Sequence, residues 1–490
     1  MKGIVKEHLM KFWKNTINNF FCFFSKINKD FLVKATPFVL ISYFLLLLMP
    51  YIFAPVPSLY SFFLKSSVNL TLRLFATLIV FTFSVLVFLR FKPKINLKYL
   101  YFSLVLIAIL ILSLIISPKT YKSVITHDPY DFETLVMYEI GFVDLISGFA
   151  SCVIDMIFGL LFVFVLPSIC KKQNLKPFLF FIFGFIVFEC LFSLIFEFNK
   201  YIATLSAGSS AYGGYEIDIS GSFISKNQFG SFLVIGFLAG FVISRWYYKN
   251  LKTFKIIIYS CLCLIGIVII FSLCKTAILS LIVFFVPYII WHIRQLIINR
   301  KNICIIILLS AAAFVIIFII LIMATPLGDI GIFEKIKNGI KTLFIDSFST
   351  AKESRYAAWI LSISTLFNYH IVLGYPKGSL QYVLSIGTNG YAVYPHNGFI
   401  QQMLCYGLFG LFVLFFLYGF IFKRIKDLDD KAERRLWISL LLSAFIFMMT
   451  ETEVVLMSAS LLTFGYNVLL SSIAIMKKKN LKEHYYEVQI

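Results

Sequence analysis

What most limits the folds open to this chain is the recurrence of apolar runs long enough to cross about 30 Å of hydrocarbon. Twelve are readable along its 490 residues: about 37–54, 72–89, 99–117, 145–166, 177–196, 227–244, 256–273, 277–292, 303–323, 397–421, 436–450 and 456–475. With 60% apolar residues and 57 Phe, the chain holds more hydrophobic side chain than a water-soluble core encloses. Backbone in lipid must satisfy its own hydrogen bonds, so runs of this length read as helices. The chain is therefore predicted to be an all-α, polytopic integral membrane protein with about 12 transmembrane helices. Residues 1–36 carry seven lysines, and the first apolar run begins too far in to be a cleaved signal peptide.

A net charge of +20 would suit a nucleic-acid partner, but its distribution does not. With the N-terminus inside, the cytoplasmic segments are 1–34, 90–98, 171–176, 245–255, 292–302, 423–435 and 476–490, and they hold most of the 44 Lys and Arg. The positive-inside rule accounts for that majority, so no nucleic acid is expected. Both termini are predicted to be cytoplasmic. The plan is a basic segment 1–36, helices one to nine over 37–323, one large external loop at 324–396, helices ten to twelve over 397–475 and a tail from 476 to 490. Of the nine cysteines, all but Cys22 lie within or at the ends of apolar runs. They form neither a disulfide framework nor a metal pair; Cys261 and Cys263 read as helix filler.

The loop at 324–396 is where aromatic and charged residues mix. An amphipathic stretch runs from Ile332 to Phe344, with Lys335, Lys337 and Lys341 among apolar neighbours. A helix-like segment starts at Ser354-Arg355-Tyr356 and ends near Gly374-Tyr375-Pro376-Lys377-Gly378. Pieces of this kind can lie in the interfacial plane over a site that opens from the bilayer. Arg355 is the one arginine well inside an outer segment, and its planar fork suits bidentate contact with a phosphate or diphosphate. An ion pair with Glu353 or Asp346 is the other reading. Trp359, one helical turn on, either stacks on a sugar or packs.

Immediately after the loop stands His396-Asn397, followed at a distance by Gly407-Leu408-Phe409-Gly410. On a continuous helix Gly407 and Gly410 follow His396 by three and four whole turns, so all three share one face. That face reads either as a packing surface or as a titratable ring above a small-residue groove for a helix or a lipid chain. Two further cations belong to the same side: Lys226, entering the sixth run, and Lys275, at the tip of the hairpin between the seventh and eighth. Each can simply snorkel to water. Together with His396 and Arg355 they suggest an anionic, lipid-linked substrate.

Three stretches resemble the O-antigen ligase and polymerase superfamily, a group of GT-C type glycosyltransferases of the bacterial envelope. They are Gly221-Ser222-Phe223 with Asn227-Gln228-Phe229, Ser354-Arg355 with Trp359 and the later Gly374, Pro376 and Gly378, and His396-Asn397 with Gly407 and Gly410. The last is the most specific, and the likeness covers about residues 220–420. It implies metal-independent transfer of a glycan from undecaprenyl diphosphate to an acceptor at the outer face of the bacterial cytoplasmic membrane, without a cofactor. The partners it implies are that lipid-linked donor, a glycan or lipid acceptor, membrane lipids and other polysaccharide assembly proteins. By position, His396 would be the base or positioning residue for the acceptor hydroxyl and Arg355 would hold the donor diphosphate. Lys275 keeps the charge but loses the fork of the arginine usual there, and Lys226 replaces a frequent proline. Asn397 and Trp359 would line the substrate site, and Gly407 and Gly410 would be structural.

The residue types suit that chemistry. A diphosphate is already a good leaving group, so stabilising its charge matters more than protonating it, and nearby cations do this. Rival classes make other demands. A polyprenyl-monophosphate glycosyltransferase is expected to carry acids in its first outer loop, yet 51–70 has no Asp or Glu. A lipid-linked glycan flippase or other transporter is expected to line its span centres with cations. The centres here hold Asp155 and Glu189, read as hydrogen-bonding acids, and Glu451 and Glu453 read as a solvated turn.

Overall fold

A computed structural model of the chain describes residues 27–52, 66–91, 120–126, 133–139, 172–206, 219–223, 225–247, 251–272, 274–298, 355–369, 371–372, 374–375, 395–456, 458 and 460–475, with isolated positions between. In chain order the described helices are α1 (Lys29–Ile52), α2 (Ser66–Phe91), α3 (Lys172–Phe196), α4 (Phe198–Ser206), α5 (Lys226–Trp246), α6 (Lys252–Ser272), α7 (Lys275–Ile298), α8 (Arg355–Tyr369), α9 (Gly398–Lys426), α10 (Lys431–Thr450) and α11 (Leu461–Ser471). A 3-10 turn, Ser472–Ile475, prolongs α11. Among the described residues seven helices are long and apolar enough to cross a bilayer: α1, α2, α3, α5, α6, α7 and α9.

The helical class expected of the membrane part holds, with one addition. Strands β1 (Thr120–Thr126) and β2 (Glu133–Glu139) pair antiparallel, from Thr120 opposite Glu139 to Thr126 opposite Glu133. Thr120, Val124, Ile125 and Thr126 are β-branched, a composition that fits a pleated ribbon better than a helix. The expected runs at 99–117, 145–166 and 303–323 fall almost wholly outside the described residues, as do the termini and most of 324–394. The run at 436–450 lies in α10, whose start is charged by Lys431, Glu433, Arg434 and Arg435. The run placed at 456–475 begins later than expected. Leu456 takes a left-handed φ of 72°, and the helix starts only after Ser460, whose side chain accepts from Thr463 N–H.

Helix α5 is the hub, packing against α3, α6, α7 and α11, while α7 also packs along α10. Residues Phe229 to Gly240 of α5 are all buried, the mark of a helix enclosed on every side. Helices α6 and α7 are the opposite case. Ile256, Ile257, Ile267, Ile270, Ile282, Ile289 and Ile290 are exposed on them, an apolar surface suited to contact with lipid.

Following the chain through α5, α6 and α7 shows that the bundle has two unlike ends. One gathers Lys172, Arg245, Trp246, Lys423, Arg424, Arg434 and Arg435, with Lys172 3.7 Å from Glu433 and the Trp246 indole donating to the same carboxylate at 3.2 Å. The opposite end collects the starts of α5, α7 and α9 and the finish of α10.

Candidate functional site

At that second end, three helix starts and one turn are tied together. Ser225 caps α5 by accepting from Gln228 N–H, which places Lys226 at the first helical position. Helix α7 begins at Lys275, an exposed residue directly after buried Cys274. The Cys274 sulfur lies 3.8 Å from Asn227 Oδ1, which joins the start of α7 to that of α5. A side chain at Gly230 would sit 2.4 Å from Cys274 Cβ, so the two helices touch backbone to side chain here. Lys226 is close enough to Cys274 to act on its thiol electrostatically, and so is Glu451.

Glu451 and Glu453 depart from the solvated turn expected of them. Thr276 Oγ1 donates to Glu451 Oε1 at 3.0 Å, and Ser458 Oγ donates to Glu453 Oε2 at 2.7 Å. Asn467, fully buried, accepts from Leu456 N–H at 2.6 Å and donates to Ser458 O at 3.0 Å. The 451–460 turn is thus cross-braced from α11 and hooked to the first turn of α7. A hydrogen bond to a carboxylate contributes about 1.5–3 kcal/mol, enough to hold Glu451 beside the lysine-bearing helix start. Sequence spacing gave no hint of this, because Thr276 and Glu451 are far apart in the chain.

The start of α9 is built from His396, Asn397 and Gly398. Asn397 is the N-cap: its Oδ1 accepts from Phe399 N–H at 3.0 Å and Ile400 N–H at 3.2 Å. His396 precedes it with φ 47°, in the left-handed region that histidine tolerates better than most residues. Gly398 has no room for a side chain, since a Cβ there would lie 2.7 Å from Glu453 O. The helix start is therefore pressed against the turn that carries both acids. Its positive dipole end favours negative charge nearby.

Trp359 ties the preceding loop to this point. Its indole N–H donates to Pro395 O at 2.8 Å, one residue before His396. Arg355 opens α8 one turn earlier, and its side chain lies outside the described residues, as do Glu353 and Asp346. Replacing Trp359 by Phe removes the bond to Pro395 and frees the His396 turn to drift. Because misplacement by about 1 Å can cost 10²-fold, a fall in kcat of at least tenfold is expected. Steady-state assays of the transfer that the resemblance implies, separating kcat from KM, check this; a wild-type kcat refutes it.

The expectation that His396, Gly407 and Gly410 share one face of a continuous helix is overturned. Gly407 has φ 65° and ψ −167°, so the helix is broken there and the whole-turn arithmetic fails. The break is filled by the chain itself. Leu408 N–H, which in an unbroken helix would donate to Leu404 O, donates to Ile371 O at 3.0 Å. Leu404 O accepts instead from Tyr375 N–H at 2.5 Å. Gly374, with φ 69°, brings this segment so close that a Cβ would lie 2.4 Å from Leu404 O and 2.6 Å from Gly407 N. The groove expected to receive a neighbouring helix or lipid chain is occupied at Gly407 by Ile371, Gly374 and Tyr375. At Gly410, a Cβ would meet Tyr406 of the same helix at 2.3 Å.

Glu189 behaves as a hydrogen-bonding acid. It accepts from the Ser222 hydroxyl at 2.9 Å and Ser222 N–H at 3.3 Å, and Glu197 accepts from Gly221 N–H at 2.8 Å. Together they anchor the 220–222 turn that leads into Lys226. Burial pushes the Cys274 thiol up to about 12, ahead of smaller effects from its neighbours. Thiolate is the reactive form, so a raised value makes it scarcer at any given pH. Iodoacetamide at pH 8 is expected to leave Cys274 unlabelled in the folded protein and to label it after denaturation, as peptide mass spectrometry will show. Among the described residues no group of His, Cys, Asp and Glu is arranged to hold a metal ion.

A helical bundle with exposed apolar flanks, one basic end and a polar cluster of helix starts at the other defines a polytopic membrane protein with its candidate site at the bilayer surface. Residues 259–415 match the O-antigen ligase family, which supports the likeness to the O-antigen ligase-like superfamily read from the motifs. The match runs from α6 into α9, beginning later than the likeness read from the motifs. It takes in Lys275, Arg355, Trp359, His396, Asn397, Gly407 and Gly410, and leaves Lys226 and Glu451 outside. No curated protein matches the chain.

Proposed function

We propose that the chain is a glycosyltransferase of surface polysaccharide assembly, moving a glycan from undecaprenyl diphosphate to an acceptor hydroxyl at the outer face of a bacterial cytoplasmic membrane. The observation that carries this reading is the joining of His396, Lys226, Lys275 and Glu451 at one bundle end, away from the basic end, around the O-antigen ligase match. By the positive-inside rule the basic end faces the cytoplasm, which turns the His396 end outward.

In the reaction the bond between the sugar anomeric carbon and the diphosphate oxygen breaks as the acceptor oxygen bonds to the same carbon. His396 takes the proton of the acceptor hydroxyl, and undecaprenyl diphosphate leaves as an anion. Arg355 grips the diphosphate with its fork, and Lys226 and Lys275 offset the charge that gathers on it. The start of α9 adds its dipole to the same task. Asn397 and Trp359 contribute by holding the His396 turn in place as well as by lining the site.

Gel analysis of surface glycan in a deletion strain tests the proposal and separates its two forms. Long glycan stranded on its carrier lipid marks a ligase, and single units attached to the acceptor mark a polymerase. An unchanged glycan profile would refute both.

A further inference from the structure

The basic end holds a feature that the transfer reaction does not use. Arg435, near the start of α10, sits over the Trp291 ring of α7, its guanidinium carbon 3.7 Å from the ring centroid. Arg245, at the end of α5, is near enough to act electrostatically on both Arg435 and Tyr288 of α7. Two guanidinium groups thus converge on one phenol where three helices meet. The nearby acids are already committed. Glu433 accepts from Trp246 and faces Lys172 at 3.7 Å, and Asp430 caps α10 by accepting from Ala432 N–H at 2.8 Å.

Buried polar atoms remain without a protein partner at this point: Arg435 Nε and the Tyr288 hydroxyl. Buried donors without acceptors are rare enough to imply a group that completes them. The missing group must be an acceptor, must carry negative charge and must reach two arginines at once, which describes a phosphate. The adjacent surface indicates what the phosphate is attached to. Ile290, 61% exposed, stands next to Trp291, 38% exposed, so apolar side chains of α7 open to lipid lie beside the guanidinium pair. A soluble phosphate has no use for those side chains, whereas an acyl chain does.

We propose that Arg245, Arg435 and Tyr288 form a headgroup site for an anionic phospholipid, with its acyl chains along α7. The leaflet is the cytoplasmic one, an assignment that rests on the basic end facing inward. Basic pockets between membrane helices on that side are suited to such headgroups. The α7–α10 seam that the lipid would brace also carries the Thr276–Glu451 contact at its other end.

The test uses the purified full chain in detergent, following the thermal unfolding midpoint. It compares added phosphatidylglycerol, phosphatidylcholine and inorganic phosphate. Phosphatidylglycerol is expected to raise the midpoint saturably, and the other two are not. The double variant Arg245→Gln/Arg435→Gln is expected to weaken the apparent affinity about tenfold or more. Lys423→Gln/Lys426→Gln, exposed charges at the same end, should leave it unchanged. If the double variant fails to fold, Tyr288→Phe keeps charge and shape and is expected to weaken binding about threefold, the loss of one hydrogen bond. An equal response to phosphatidylcholine, an equal response to inorganic phosphate, or equal losses in the control pair would each overturn the assignment. So would undiminished affinity in both Tyr288→Phe and a folded double variant. None of these readouts depends on glycan transfer, so this site and the proposed reaction stand or fall separately.

Discussion

Replacing His396 by Asn is expected to lower glycan transfer by about 10²–10⁴-fold, the range for a positioned general base, with protein levels unchanged. Asparagine is the informative choice because the position has φ 47°. Asn enters the left-handed region readily, so the variant keeps the backbone relaxed and a polar side chain in place. What it lacks is a nitrogen able to take a proton. Alanine would mix the chemical loss with about 1–2 kcal/mol of backbone strain. The companion variant is Arg355→Lys, which keeps the charge but loses the fork; a drop of tenfold or more is expected if two parallel contacts to the diphosphate are needed, since about 1.4 kcal/mol is a factor of ten. In a deletion strain carrying each variant, the surface glycan profile and membrane protein level are read together. Full transfer by His396→Asn at normal levels would remove His396 from the mechanism.

Much of this was legible from the sequence, for a physical reason. Hydrophobic length is a one-dimensional property, so α1, α2, α3, α5, α6, α7 and α9 could be placed from apolar runs alone, with ends that differ by up to about eight residues. The helix start at Asn397 was equally local, since an N-cap and the donors it satisfies lie within four residues. What failed was extrapolation along the helix. The spacing from His396 to Gly407 assumed an unbroken helix, and Gly407 is where the chain departs from it. Tertiary partners supply the backbone bonds lost there, so propensity in the run itself carries no trace of the break. The tie between Thr276 and Glu451 was invisible for the same reason. Two acids between apolar runs read as solvated until Thr276, Ser458 and Asn467 are seen to brace their turn. The β-ribbon was missed because apolar run length, the dominant signal, says nothing about the segments between runs.

Gly374→Ala is expected to be among the most damaging single changes outside the reaction itself. The residue has φ 69°, and the added methyl would lie 2.4 Å from Leu404 O, 2.6 Å from Gly407 N and 2.8 Å from Tyr406 N. All three are backbone atoms of a packed helix, so none can yield by rotating a side chain. Left-handed backbone costs alanine about 1–2 kcal/mol before any clash is counted. Relieving the clash requires residues 371–375 to withdraw, which breaks the bonds from Tyr375 N–H to Leu404 O and from Leu408 N–H to Ile371 O. Each stranded group then costs about 1–3 kcal/mol in an apolar setting without water. Helix α9 could recover by closing the gap at Gly407, since Leu408 N–H and Leu404 O are natural partners. That would turn the His396 end of the helix relative to the rest and detach it from the loop that Trp359 and Pro395 secure. Either route lowers the unfolding midpoint, by about 5 °C or more on the usual relation between free energy and midpoint, and impairs transfer as well. Gly419→Ala is the control: it lies in the same helix with open space around its Cβ, and helix propensity favours alanine there by about 1 kcal/mol. Gly374→Ala and Gly407→Ala should also be non-additive, because each alone opens the same junction. A Gly374→Ala protein as stable and active as Gly419→Ala would mean that residues 371–375 do not hold the broken helix together.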